Sequence, residues 1–229
     1  MVTVKLNTMS EADHARVSAA VHAAETGTSG EIVTIVADHS DRYLDVALWW
    51  SVLAAILALG ALAAFPDLVF ARLEVLLGGW IDDWTRAEIL EVALALVVTK
   101  FLAVRLLLQW VPLRLLFTPG IVKSRRVRRR AVRYFKVGAE RRTAGKTGIL
   151  IYLSLIERRA EIVADEAIHT QVAQESWGQA MADLLTQVRD GRIADGMIAA
   201  VDDVGAILSQ HFPRADDDKN ELPDRLIEL

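Results

Sequence analysis

The sequence predicts a small α/β domain interrupted by a two-helix transmembrane hairpin. Three observations predict it. Short runs rich in β-branched and aliphatic residues, at 31–37, 147–154 and 160–164, alternate with segments of helical periodicity. Two long apolar stretches, 44–65 and 89–117, fall between the first and second of those runs. Charge is also segregated. The 229-residue chain carries −4 overall, yet residues 121–146 carry +10, against −3 for 1–42, −2 for 43–120 and −9 for 147–229. A hydrophobic fraction of 53% beside 24% charged residues excludes a disordered chain. The absence of cysteine excludes disulfides, thiol catalysis and thiolate metal sites.

Taken in order, Ser10 followed three residues later by Asp13 resembles a capping box, with Asp in place of the usual Glu or Gln. The helix it opens places Val17, Val21 and Ala24 on one face, and the glycines at 27 and 30 end it. Glu31 to Ala37 reads as a buried strand, finishing at Asp38. Leu44 to Phe65 carries one charge, Asp45, at its edge, and about 20 apolar residues span a bilayer as a helix. Trp49 and Trp50 sit near one end, where amphipathic rings favour the headgroup level, and Pro66 with Asp67 stops the segment. A polar stretch of some 40 residues precedes it, which is not the form of a cleavable signal peptide.

Asp67 to Glu88 is expected to be a loop, with Trp80 and Trp84 as interface anchors. The second apolar stretch is broken by Lys100, Arg105, Gln109, Pro112 and Arg114. A cation at mid-span costs about 2.5–3.5 kcal/mol on insertion scales. The crossing is therefore expected over Ile89 to about Leu107, with Lys100 and Arg105 snorkelling toward one interface and the remainder bent near the surface at Pro112. Basic flanks stay cytoplasmic, so the +10 block faces inward, and two crossings return the chain to its starting side.

Ile121 to about Val137 reads as a strongly basic helix. Thr147 to Ser154 and Ala160 to Ala164 are strands joined by a tight turn at Glu157, Arg158 and Arg159. Helices follow from Trp177 to Val188 and from Ile193 to Leu208, separated by Asp190 and Gly191. The expected organisation is an N-terminal part of the domain over 1–42, the hairpin over 43–118, a C-terminal part over 119–213, and an acidic disordered tail over 214–229.

The run from Thr147 to Asp165 (TGILIYLSLIERRAEIVAD), then Trp177, then Asp190 to Pro213, resembles the TPM domain family. Thr26 to Ser40 looks like that family's opening strand motif, and the likeness is greatest to a bacterial, membrane-embedded subgroup with a transmembrane hairpin inside the domain. The resemblance implies an α/β/α sandwich in the bacterial inner (cytoplasmic) membrane, with its soluble domain facing the cytoplasm. Some relatives are described as phosphatases and others as auxiliary subunits of membrane complexes. The chain departs from phosphatase-type members at Lys146-Thr147 before the second strand and at Asp165-Glu166-Ala167 after the third.

The candidate chemistry is modest. Asp38 and Asp165 both follow strand ends, where open α/β sheets place ligand sites. With Asp41 they would make an oxygen-ligand set for Ca²⁺ or Mg²⁺, and Arg158 or Arg159 would clamp a phosphoryl group. Glu157 and Glu166 would join that cluster, while the plainer alternative is that these charges cap solvated loops. Ala144-Gly145-Lys146-Thr147 is not a phosphate-binding loop, because Glu140 stands where its first glycine belongs and a strand follows it. The five histidines show no metal-ligand spacing. Beside a membrane span, Arg125, Arg126, Arg128, Arg129 and Arg130 are expected to contact anionic lipid headgroups, and no base-reading module points to nucleic acid. Two functions stay open: an interaction or auxiliary module on a membrane protein complex, or a metal-assisted phosphatase acting on phosphomonoesters.

Overall fold

A computed structural model describes residues 9–77, 84–138, 147–215 and 222–229, and within it the chain forms two compact units, 1–41 with 120–229 and, between them, 42–119. Trp80, Gly145, Lys146 and Glu140 lie outside the described residues.

The first unit is built on a four-stranded sheet of β1 (Glu31–Ala37), β2 (Gly148–Ser154), β3 (Arg159–Ala164) and β4 (Ile227–Glu228), in the order β3-β2-β1-β4. β1 pairs in parallel with β2, from Glu31 opposite Gly148 to Ala37 opposite Ser154. β2 and β3 form an antiparallel hairpin, and β4 adds to the far edge of β1 in parallel. β1 and β2 are buried along their whole length, which is why both read as unbroken apolar runs rather than alternating ones.

Helices cover both faces. Alternate strand residues Ile32, Val36, Ile149, Ile151 and Leu153 pack with α1 (Glu11–Glu25), α7 (Glu166–Gln171), α8 (Trp177–Arg189) and α9 (Ile193–His211). The opposite residues Val33, Ile35, Leu150 and Tyr152 pack with Val127, Ala131 and Phe135 of α6 (Gly120–Gly138). Ser10 does cap α1 reciprocally, its hydroxyl accepting from the Asp13 amide at 3.1 Å. α1 and α9 meet where Gly205 leaves no side chain: a Cβ there would stand 2.7 Å from that of Ala24. A three-residue 3₁₀ turn, Gln174–Ser176, links α7 to α8.

Two expectations are corrected here. Residues 222–229, read as part of a disordered tail, include β4, and Leu222 and Leu226 are buried in the two cores. The stretch after Pro66 is not a loop. It begins α3 (Pro66–Leu77), because proline fits the first turn of a helix, where no intrahelical amide bond is lost.

The second unit holds α2 (Leu44–Ala64), α3, α4 (Arg86–Leu107) and α5 (Val111–Leu116). α2 packs along α4, and its buried positions include Ala47, Ser51 and Ala55, four residues apart, small side chains that let helices approach closely. Trp84 donates to Glu74 at 3.3 Å and packs on Phe70 of α3. α4 opens with a second capping box, Thr85 with Glu88, and α5 carries Pro112 in its first turn. Among the described residues, α2 alone is long and apolar enough to cross a membrane.

Candidate polar site at the carboxyl edge of the sheet and the basic helix

The carboxyl ends of β1 and β2 meet in a buried polar network. The ladder continues past both strands, with the Leu155 amide donating to Ala37 and the Ile156 amide to Asp38. Glu157, 7% exposed, turns back beneath this corner and accepts from the Ser40 amide at 2.9 Å and from the Ser154 hydroxyl at 2.5 Å. Ser40 Oγ donates to Ser154 Oγ at 3.0 Å and lies 3.0 Å from the Tyr152 hydroxyl. Each hydroxyl has one proton, so the Tyr152 hydroxyl donates to Ser40, Ser40 to Ser154, and Ser154 to the Glu157 carboxylate. Burial pushes the Tyr152 hydroxyl above its ordinary range. Ser154 is wholly enclosed, so this chain of bonds presents no nucleophile to solvent. It pins the loop after β1 to the β2–β3 turn.

Around the network stand the side chains of α6. Arg126 pairs with Asp41 at 3.1 Å, and Arg128 with Glu161 of β3 at 3.5 Å. Burial raises the Glu161 carboxyl, and Arg128 and Arg159 pull it back. Arg130 lies over the Tyr134 ring, 5.0 Å from its centre. On the opposite side of the helix, Arg125, Arg129 and Arg133 follow at intervals of four, with Lys136 beyond, all exposed. They are two residues out of phase with the buried Val127, Ala131 and Phe135, about 200° around the helix. Of the five arginines expected to meet lipid, the structure leaves Arg125, Arg128 and Arg129 exposed, Arg128 also pairing with Glu161, while Arg126 pairs with Asp41 and Arg130 lies over Tyr134. The same spacing of four carries the exposed row to Arg133.

The expected acidic site does not assemble. Asp38 ends β1 at the carboxyl edge, near Asp41, Arg158 and Arg159. Asp165 ends β3, and β3 runs antiparallel to β2, so Asp165 lies beside Gly148 at the opposite end of the sheet, about 20 Å away for a seven-residue strand. Glu166 goes with it. Among the described residues no group of three histidine or acidic side chains is placed to hold a metal ion. Arg158 occupies the turn with φ of 50°.

Asp165 serves the fold instead. Its Oδ2 accepts from the Gly148 amide at 3.0 Å and its own amide donates to the Gly148 carbonyl at 2.9 Å, which ties the start of β2 to the end of β3. Asp165→Ala, leaving a buried amide without that acceptor, is expected to lower unfolding stability by about 1–3 kcal/mol. Asp165→Asn, which keeps an oxygen there, should lose less. Urea unfolding of the full chain in micelles measures both, and equal losses would count against this role.

The chain is thus an α/β protein with helices on both faces of a four-stranded sheet and a helical insert between its first two strands. Residues 115–207 match the family model of the TPM domain. Among solved structures, the chain is similar to the NMR structure of BA42 protein from the psychrophilic bacterium Bizionia argentinensis, with 16% identity, a TM-score of 0.57 and 100% of both chains covered. At that identity the likeness concerns the fold. No curated protein matches the chain.

Proposed function

We propose that this protein is a membrane-anchored α/β module that docks onto a membrane protein complex at the cytoplasmic face of the bacterial inner membrane. The observation that carries the reading is α2. Only 22% of its most apolar 18-residue window is buried, with Ile56 62% and Leu57 63% exposed, and it contributes to neither core of the sheet. A core helix of a water-soluble domain would be enclosed.

Sheet continuity supports a return crossing. β1 precedes the insert and β2 follows it, yet they pair residue by residue, so both must lie on one side of any bilayer that the insert enters. An even number of crossings follows, and α4 is the available partner. Its charges, Arg86, Glu88 and Glu91 in the early turns and Lys100 and Arg105 in the later half, leave an apolar stretch between them. The exposed row of Arg125, Arg129 and Arg133 begins just after the insert and suits anionic headgroups, at about 1 kcal/mol per cation near the surface.

Fusions to the full chain in bacterial cells test this. A reporter active only in the periplasm, placed after Leu208, should be silent. The Arg125→Glu, Arg129→Glu and Arg133→Glu triple variant should weaken the inward preference by about 3 kcal/mol and yield a mixed orientation. An active reporter on the unaltered chain would overturn the orientation, and an undisturbed triple variant would remove the stripe from the account.

A further inference from the structure

The corner between α4 and α5 holds a buried cation. Trp110 is extended and Pro112 stands in the first turn of α5, so one helix ends and another begins there. Arg114 reaches back across this corner, and its Nη2 donates to the Gln109 carbonyl at 3.4 Å. The residue is only 6% exposed, and Leu108, Leu115 and Thr118 of the same stretch are buried as well. The Thr118 hydroxyl donates to the Arg114 carbonyl at 2.8 Å, which fixes the backbone that carries the side chain.

A guanidinium has five N–H donors and keeps its charge at any physiological pH. One long bond to a carbonyl leaves most of that capacity unused. Among the described residues no carboxylate pairs with Arg114, and the charge that acts on it is a second cation, Arg105 in the last turn of α4. Burial lowers the Arg114 guanidinium from its ordinary value, and Arg105 pushes the same way. The carbonyl end of α4 attracts cations, which accounts for an exposed arginine near it. It does not account for two guanidiniums near each other with one of them out of water, because a buried charge is costly without a counter-ion.

The surroundings of the corner are apolar and turned outward. Leu106, Leu107, Trp110 and Leu116 are all more than half exposed. Acyl chains cover such a rim, and a tryptophan ring favours the headgroup level.

We propose that Arg114, with Arg105, binds the phosphate of one anionic phospholipid, whose acyl chains lie against the exposed side chains of α4 and α5. This rests on the membrane reading and deepens it: the row on α6 attracts headgroups at large, whereas this corner takes a single one. A phosphodiester has two unesterified oxygens, which a guanidinium fork meets with two parallel bonds. It brings the negative charge that the corner lacks and separates the two cations.

Native mass spectrometry of the full chain in non-ionic micelles, titrated with phosphatidylglycerol, reads the site. The unaltered chain should retain one lipid. Arg114→Gln should weaken that retention about thirtyfold, the effect of removing one partner of a buried charge pair. Arg105→Gln, at a partly exposed position that folding tolerates, should weaken it less but measurably. The Arg125→Glu, Arg129→Glu and Arg133→Glu triple variant should keep the lipid. Unchanged retention in both Arg114→Gln and Arg105→Gln would overturn the proposal, and so would loss of the lipid in the triple variant. Inorganic phosphate that displaces the lipid would assign the corner to the free ion and overturn the lipid. Flotation of the unaltered chain separates the two readings. A chain that floats but holds no lipid through these arginines loses the site and keeps the anchor, and a chain that does not float loses both.

Discussion

Leu57→Arg is expected to remove the chain from the membrane fraction. Leu57 lies in the middle half of α2 and is 63% exposed. The two environments give opposite answers for this position. In water, an outward leucine exchanged for arginine changes stability by less than about 0.5 kcal/mol, and the substitution favours solubility. In hydrocarbon, an arginine near the centre of a span costs about 2.5–3.5 kcal/mol on insertion scales. That is a factor of roughly 100 in the insertion equilibrium. Membrane flotation of the full chain measures the outcome, with Leu57→Phe as the apolar control. If both variants float as the unaltered chain does, α2 does not lie in the bilayer core.

Glu157→Ala should be the most damaging single change at the carboxyl edge of the sheet. In a site closed to water, the carboxylate accepts hydrogen bonds from the Ser40 amide and the Ser154 hydroxyl, among its contacts. Bonds to a charged group are worth about 1.5–3 kcal/mol each, so the expected loss is about 3–5 kcal/mol. Ser154→Ala, made first, removes one of the donors that would be stranded. Glu157→Ala should then cost about 1 kcal/mol less, since residues in one network do not contribute additively. The urea midpoints of the full chain, both single variants and the double close this cycle. Strict additivity would mean that Ser154 and Glu157 act independently.

Much of the fold was legible. β1 and β2 are apolar without alternation because both faces are covered, and periodic positions such as Met197, Val201, Val204 and Leu208 mark the core side of α9. The capping box at Ser10 read correctly because its chemistry is local. The acidic site failed for a reason the sequence also contained. A tight turn at Glu157 to Arg159 reverses the chain, so the end of β3 had to lie beside the start of β2, away from Asp38. Tyr152 was a second legible sign, since a hydroxyl inside an otherwise apolar strand requires a partner. β4 was not legible. Two residues carry no period, and what orders them is pairing with a strand far away in sequence. Which arginines of α6 turn outward was readable from phase alone, but which meet Asp41 or Glu161 depends on tertiary packing.

The pairing of β1 with β2 sets an order of events during synthesis. β1 leaves the ribosome early, and its central neighbour is made only after the whole helical insert and α6. At about 5–20 residues per second, that is a wait of several seconds or more. For that interval β1 is a largely apolar segment with both long edges open, attached to a nascent chain whose next helix is also apolar. The helical insert is therefore translated before the domain can close. The folded sheet records a protein whose helical insert is finished before its sheet can close, and the half-built β1 segment has to be sheltered meanwhile.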